Sequence, residues 1–167
     1  MDSPLLFDQI HEGDLWISPT RTVTETDVIN FAGMTGDYNP LHVDYEFAAR
    51  SHYRRPIAHG LLGVSWVAGL ASRSPWVMTV AFSSIRDWQF LQPLFFGDTV
   101  HVETICLEKL TAGRKAGRIL WQHRLINQAG KSAQQGTFET LVAKTAPNDH
   151  QLRAHLNLSA KKADAYR

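Results

Sequence analysis

The sequence has a single cysteine, Cys106, so no disulfide can form within the chain. It also has almost no net charge: 17 Lys and Arg face 16 Asp and Glu, for a formal +1. That balance gives no overall field to hold nucleic acid or an acidic membrane surface. The longest apolar run, over residues 60–71, falls short of the ~20 residues that cross a bilayer. The first residues, Met1-Asp2-Ser3-Pro4, lack the basic segment and apolar core of a secretory signal. No glycine-rich phosphate cradle, serine-centred nucleophile motif or metal-ligand spacing stands out. These absences predict a cytoplasmic protein with no metal, no cofactor, no nucleic-acid partner and no membrane span. Cys106 lies in a strand-like run, residues 100–107, where a buried and inert thiol is expected.

What is present fits an ordinary globular domain. The 167 residues suffice for one real core, and 44% hydrophobic with 20% charged residues sits near the globular average. Thr24 with Asp27 three residues on has capping-box spacing, which predicts a helix carrying Val28, Ile29, Phe31 and Ala32 and ending at residues 33–36. Residues 37–41 hold a proline and read as a turn or loop. Asp44 is placed to cap a second short helix over residues 44–51. From Gly60 to Ala71 every residue is apolar or small except Ser65. A helix without a polar face belongs inside a protein, and this one would be roughly 18 Å long. Its small residues Gly63, Ala68 and Gly69 predict that something approaches it closely.

Beyond Pro75 the pattern becomes that of strands, over residues 77–91, 99–107, 115–126 and 132–144. Ile119, Trp121 and Leu125 fall on one face at period two, and residues 127–131 hold a hairpin signal at Gly130. Four long strands with short turns predict an antiparallel meander. One buried helix and one curved sheet satisfy each other when the sheet wraps the helix. The expected class is therefore α+β, a single hot-dog domain over residues 1–146, followed by a polar tail over 147–167.

The chemistry is concentrated in Gly36-Asp37-Tyr38-Asn39-Pro40-Leu41-His42-Val43-Asp44. A carboxylate and an imidazole stand five residues apart across a proline-containing loop. Pro56-Ile57-Ala58-His59-Gly60 follows at the start of the apolar helix, with Phe47-Ala48-Ala49 between. Together these elements resemble the signature of the MaoC-like dehydratases and, within them, the (R)-specific enoyl-CoA hydratases. Residues 90–93 and 97–100 add to a resemblance that spans about residues 10–145. It implies that Asp37 and His42 hold an attacking water, and that the Gly60 N–H receives the charge that builds on a thioester oxygen. It further implies a (3R)-hydroxyacyl product, an acyl thioester of coenzyme A or a carrier protein as partner, and a homodimer or higher homo-oligomer. Asn39, His59 and Arg55 are the candidate substrate-binding residues, Arg55 with Arg54 through coenzyme A phosphates. Asn39 has a simpler reading as a loop residue held by its own hydrogen bonds, and His59 as a brace for the helix start. Asp37, His42 and His59 could also meet a divalent ion, without a recognised ligand spacing to support it.

Some members of this family carry a serine on the central helix that hydrogen-bonds the catalytic carboxylate. Counting eight residues from Gly60 leads here to Ala68; Thr35 and Ser65 are candidates to replace it. Two rival functions share the scaffold. A hot-dog thioesterase commonly carries a carboxylate on or near its central helix, and residues 60–72 contain no Asp or Glu. A non-catalytic thioester-binding protein would have no need of an intact Asp37 and His42.

Overall fold

The computed structural model describes residues 3–111 and 113–146. The polar tail expected at 147–167 lies outside the described residues. After a single turn of 3-10 helix at Phe7–Gln9 come β1 (Leu15–Ile17), β2 (Arg21–Thr22) and the helix α1 (Glu25–Thr35). Two short helices follow, α2 (Pro40–Val43) and α3 (Tyr45–Arg50), and then α4 (Gly60–Ala71). Four long strands complete the described residues, β3 (Thr79–Phe90), β4 (Thr99–Thr111), β5 (Ala116–Asn127) and β6 (Ser132–Ala143).

The strands form one antiparallel sheet of order β1-β4-β5-β6-β3, with β2 also paired to β4. Only β4, β5 and β6 form a meander. The expectation of a full meander fails at β3, which pairs with β6 and not with its sequence neighbour β4. This places β3 at the edge. Its pairing with β6 shifts register at three points, between Thr79 and Ala81, Phe82 and Ser84, and Arg86 and Gln89; such irregularities bend a strand and increase its twist.

The curved sheet packs on α4 as the hot-dog fold requires. Leu62, Trp66 and Val67 of the helix join Val100 and Val102 of β4, Leu125 of β5, and Ala133 and Phe138 of β6 in one core. Burying such side chains stabilises by roughly 1.5–3 kcal/mol each. Gly63 explains the close approach: a Cβ there would lie 2.2 Å from the Gln134 amide nitrogen, while Gly69 has nothing within 4 Å. Gln134 in turn donates to the Gly60 carbonyl at 3.0 Å, tying the first turn of α4 to β6.

The helix is not buried all round. Leu61, Ser65, Ala68 and Gly69 form an exposed stripe at helical spacing. A helix apolar but for Ser65, with one open side beside an open sheet edge, marks a face that a single chain leaves uncovered. Two further features differ from the sequence reading. The segment read as a loop at 37–41 contains the start of α2, because Asn39 caps it through Leu41 N at 3.0 Å and Pro40 takes the first helical position. Strand β4 runs to Thr111, four residues beyond the stretch expected.

Candidate active site

The site begins with the way α1 ends. Thr24 and Asp27 make the expected capping box at its start. At its end Gly36 has φ +79°, a left-handed conformation suited to glycine. The Thr35 hydroxyl donates to the Phe31 carbonyl at 2.7 Å and accepts from the Asp37 N–H at 3.3 Å. Asp37 Oδ1 accepts from the Asn39 N–H, also at 3.3 Å. A glycine reversal, a threonine clamp and a capped helix thus fix the carboxylate within one short stretch of chain. Asp37 stays about half exposed.

His42 sits in α2, and its orientation settles its tautomer. Nδ1 lies 2.7 Å from the Ile57 carbonyl, an acceptor only, so Nδ1 carries the hydrogen and Nε2 is left with its lone pair. Burial is the strongest influence on this imidazole and holds its pKa below the ordinary value of 6.5; the Ile57 carbonyl and the Asp37 carboxylate oppose that effect, and His59 adds to it. The ring is therefore neutral at pH 7 and able to accept a proton.

His59 precedes α4 and is 2% exposed. Its Nε2 lies 2.9 Å from the Asp37 backbone carbonyl and donates to it. The Asp37 carboxylate is further, at 3.9 Å. The ring stacks on His42 with centroids 3.8 Å apart and against Phe31 at 5.0 Å. His59 therefore links the α4 start to the loop that carries Asp37. Its Nδ1 is buried and makes no hydrogen bond among the described residues.

These groups line a cavity of about 320 Å³ with Phe31, Thr35, Gly60, Leu61 and Phe90. One carboxylate oxygen of Asp37 and one ring nitrogen each from His42 and His59 lie within 4.8 Å of one another. A single water with hydrogen bonds of about 2.8 Å spans that separation. The donor set would also suit a divalent cation. Gly60 opens α4, so its N–H lies in the first turn, where no intrahelical acceptor exists and the helix dipole favours negative charge.

The remaining sequence candidates fall elsewhere. Asn39 turns its side chain onto the α2 backbone and does not line the cavity. The Arg55 guanidinium lies over the Phe95 ring, 3.9 Å from its centroid. Ala68 lines a different cavity, and Ser65 donates to the Leu61 carbonyl. Of the two candidates to replace the missing serine, Thr35 is the one that reaches the Asp37 loop. Sequence reasoning did not foresee Phe31 or Phe90 in this cavity. Phe31 lies on the same α1 stripe as Val28, which was the available signal for its burial.

The MaoC like domain model matches residues 7–120, and the chain belongs to that family. A curated relative, an (R)-specific enoyl-CoA hydratase from Rhodospirillum rubrum, is 33% identical over 95 residues, covering 56% of this chain and 64% of the relative. The X-ray structure of a monoamine oxidase regulatory protein from Archaeoglobus fulgidus is 34% identical with a TM-score of 0.79, covering 86% of this chain and 97% of that one. The unliganded R-hydratase PhaJ1 from Pseudomonas aeruginosa is 27% identical with a TM-score of 0.70, covering 86% and 88%. The chain spans between 31% and 64% of the length of the first curated relatives it matches. No helix among the described residues is long and apolar enough to cross a membrane.

Proposed function

We propose that this chain adds water across the double bond of a 2-enoyl thioester and gives the (3R)-3-hydroxyacyl thioester. The observation that carries this reading is the convergence of Asp37, His42 and Gly60 on one cavity of about 320 Å³. A water held between Asp37 and His42 gives a proton to the neutral imidazole as its oxygen bonds to the β-carbon. The π electrons move onto the thioester oxygen as an enolate, which the Gly60 N–H receives. Return of the proton to the α-carbon restores the double-bonded carbonyl and leaves the pair as it began. His59 acts as a positioning residue through the Asp37 carbonyl.

The R-hydratases among the relatives support this choice of substrate, carried on coenzyme A or on a carrier protein. Arg55 is a candidate for the phosphates of such a carrier, whereas Asn39 is better understood as a cap. The absence of any Asp or Glu from α4 weighs against a thioesterase, and no cofactor is required by the steps above. The reading includes a cytoplasmic location and a homodimer or larger homo-oligomer. Val80, Phe82, Ile85 and Phe90 of the edge strand β3 are all exposed in the single chain, and an open twelve-residue edge strand that carries these apolar side chains is a surface that a second copy would cover.

Crotonyl-CoA separates the possibilities. Loss of enoyl absorbance without free thiol is hydration and is the expected result. Release of free thiol would mean a thioesterase, and no change would mean binding alone.

A further inference from the structure

A second cavity, of about 400 Å³, lies at the other end of α4. Its walls are largely apolar, from Ala68 and Ala71 of the helix to Phe82, Trp121 and Phe138 of the sheet. Ser72 and Thr79 line its exposed rim, and deeper in it stand three buried polar side chains, one from each central strand: Thr104 of β4, His123 of β5 and Thr140 of β6. All three are at most 7% exposed. Burial of polar groups in such surroundings is costly unless each finds a partner.

Their hydrogen bonds are incomplete. Thr104 Oγ1 and His123 Nδ1 lie 3.1 Å apart on paired positions of β4 and β5 and share one hydrogen. The other ring nitrogen of His123 pairs with no protein atom among the described residues. Thr140 Oγ1 accepts from Trp121 Nε1 at 2.8 Å, which leaves the Thr140 hydroxyl hydrogen available. Phe138 packs edge-on to His123, with centroids 4.6 Å apart, and fixes the ring. The result is a largely apolar pocket whose buried walls offer an imidazole nitrogen and a hydroxyl as free polar functions.

The exposed stripe of α4 connects this pocket to the candidate active site. Leu61 lines the first cavity and Ala68 the second, with Ser65 between them on the same face. Eight residues separate Gly60 from Ala68, or roughly 12 Å along the helix. An acyl chain whose thioester oxygen meets the Gly60 N–H, running along this stripe, would bring its far end to the second cavity. On the hydratase reading above, we propose that this cavity receives the distal end of the acyl chain and selects one bearing an uncharged oxygen, a hydroxyl or carbonyl, recognised by His123 and Thr140. A terminal carboxylate is disfavoured, because no Lys or Arg lines the cavity and burial keeps the imidazole of His123 neutral at pH 7. A plain alkyl end would leave both polar groups without partners, and sites built to hydrogen-bond a substrate reject the analogue that lacks the group more strongly than apolar pockets reject an extra one.

The test compares kcat/KM for 2-decenoyl-CoA and ω-hydroxy-2-decenoyl-CoA, with crotonyl-CoA as the measure of hydration itself. The wild-type protein is expected to favour the hydroxylated chain by about tenfold or more. In His123→Phe and Thr140→Val the ratio of the two rates should fall towards one; being a ratio within each variant, it is unaffected by a general loss of activity. Preference for the alkyl chain in a wild-type protein that hydrates crotonyl-CoA would overturn this inference and leave the hydratase reading intact. A wild-type preference retained in both folded variants would overturn the assignment of His123 and Thr140. If no enoyl thioester is hydrated, the hydratase reading fails and this inference falls with it.

Discussion

Proline in place of Gly60 deletes one N–H with little other cost to the helix. Residue 60 is the first of α4, so its N–H serves no intrahelical bond, and proline is well tolerated there. His59, with φ −59° and ψ 138°, is already in the extended range that a residue before proline prefers. A Cβ at this position would lie 2.9 Å from Phe90 Cε1 and 3.0 Å from Cδ1, so that ring must move. Phe90 is 56% exposed in the single chain, so its ring is not locked in the chain's own core. Alanine carries the same Cβ and forces the same displacement but keeps the N–H. The ratio of Gly60→Ala to Gly60→Pro therefore isolates the hydrogen-bond donor. Loss of one donor to a developing oxyanion costs about 2.7–4 kcal/mol, or roughly 10² to 10³ in rate. The assay is kcat for crotonyl-CoA hydration in both variants, with thermal melts to establish folding. Adding Phe90→Ala to each removes the shared crowding and should leave the ratio unchanged. Equal rates in folded Gly60→Ala and Gly60→Pro would place the oxyanion donor elsewhere.

Other expectations follow from the two histidine environments and the open edge. Burial holds His42 below its ordinary pKa of 6.5, so kcat/KM should stay level through pH 7 and fall only in more acid solution, as the imidazole protonates; a limb centred at or above pH 7 would contradict its role as the neutral base. His123 is pushed down from 6.5 to about 4 by burial. The unfolded chain therefore binds this proton first, and stability should drop as pH falls from 6.5 towards 4, by about 3 kcal/mol at 1.36 kcal/mol per pKa unit. Urea midpoints at the two pH values measure it, and the same drop in folded His123→Phe would assign the effect to other groups. Light scattering should find at least a dimer, through the β3 edge and the open side of α4; a stable monomer with full activity would refute that.

Most of this architecture was legible because period and punctuation agree with the fold. The Thr24 and Asp27 box, the Gly36 reversal, the Asp44 cap and the Asn127 to Lys131 hairpin are local signals, and each formed where local chemistry placed it. The Asp37, His42, His59 and Gly60 cluster was visible as a motif, and the fold brings all four to one cavity. What escaped was set by contacts distant in sequence. Strand β3 has the same composition whether it pairs with β4 or with β6, and nothing local distinguishes the two. The Asn39-Pro40 pair reads as a break in the sequence, although asparagine at the cap and proline at the first helical position equally begin a helix. The apolar pattern of α4 could not tell a helix buried by its own chain from one that a second copy would finish covering. His123 fits the period-two face between Trp121 and Leu125, both buried, and that register alone would have turned it inward.

The most direct test of the central claim is the crotonyl-CoA reaction run with wild-type protein and Asp37→Asn, with chiral analysis of the product. Asp37 lies in an exposed loop held chiefly by backbone and threonine contacts, so the asparagine variant should fold. The account predicts (3R)-3-hydroxybutyryl-CoA from the wild type and a rate at least about a hundredfold lower in the variant, the scale of general acid–base catalysis lost when the water is no longer held toward His42. A predominantly S product, or a folded Asp37→Asn that hydrates at the wild-type rate, would contradict it.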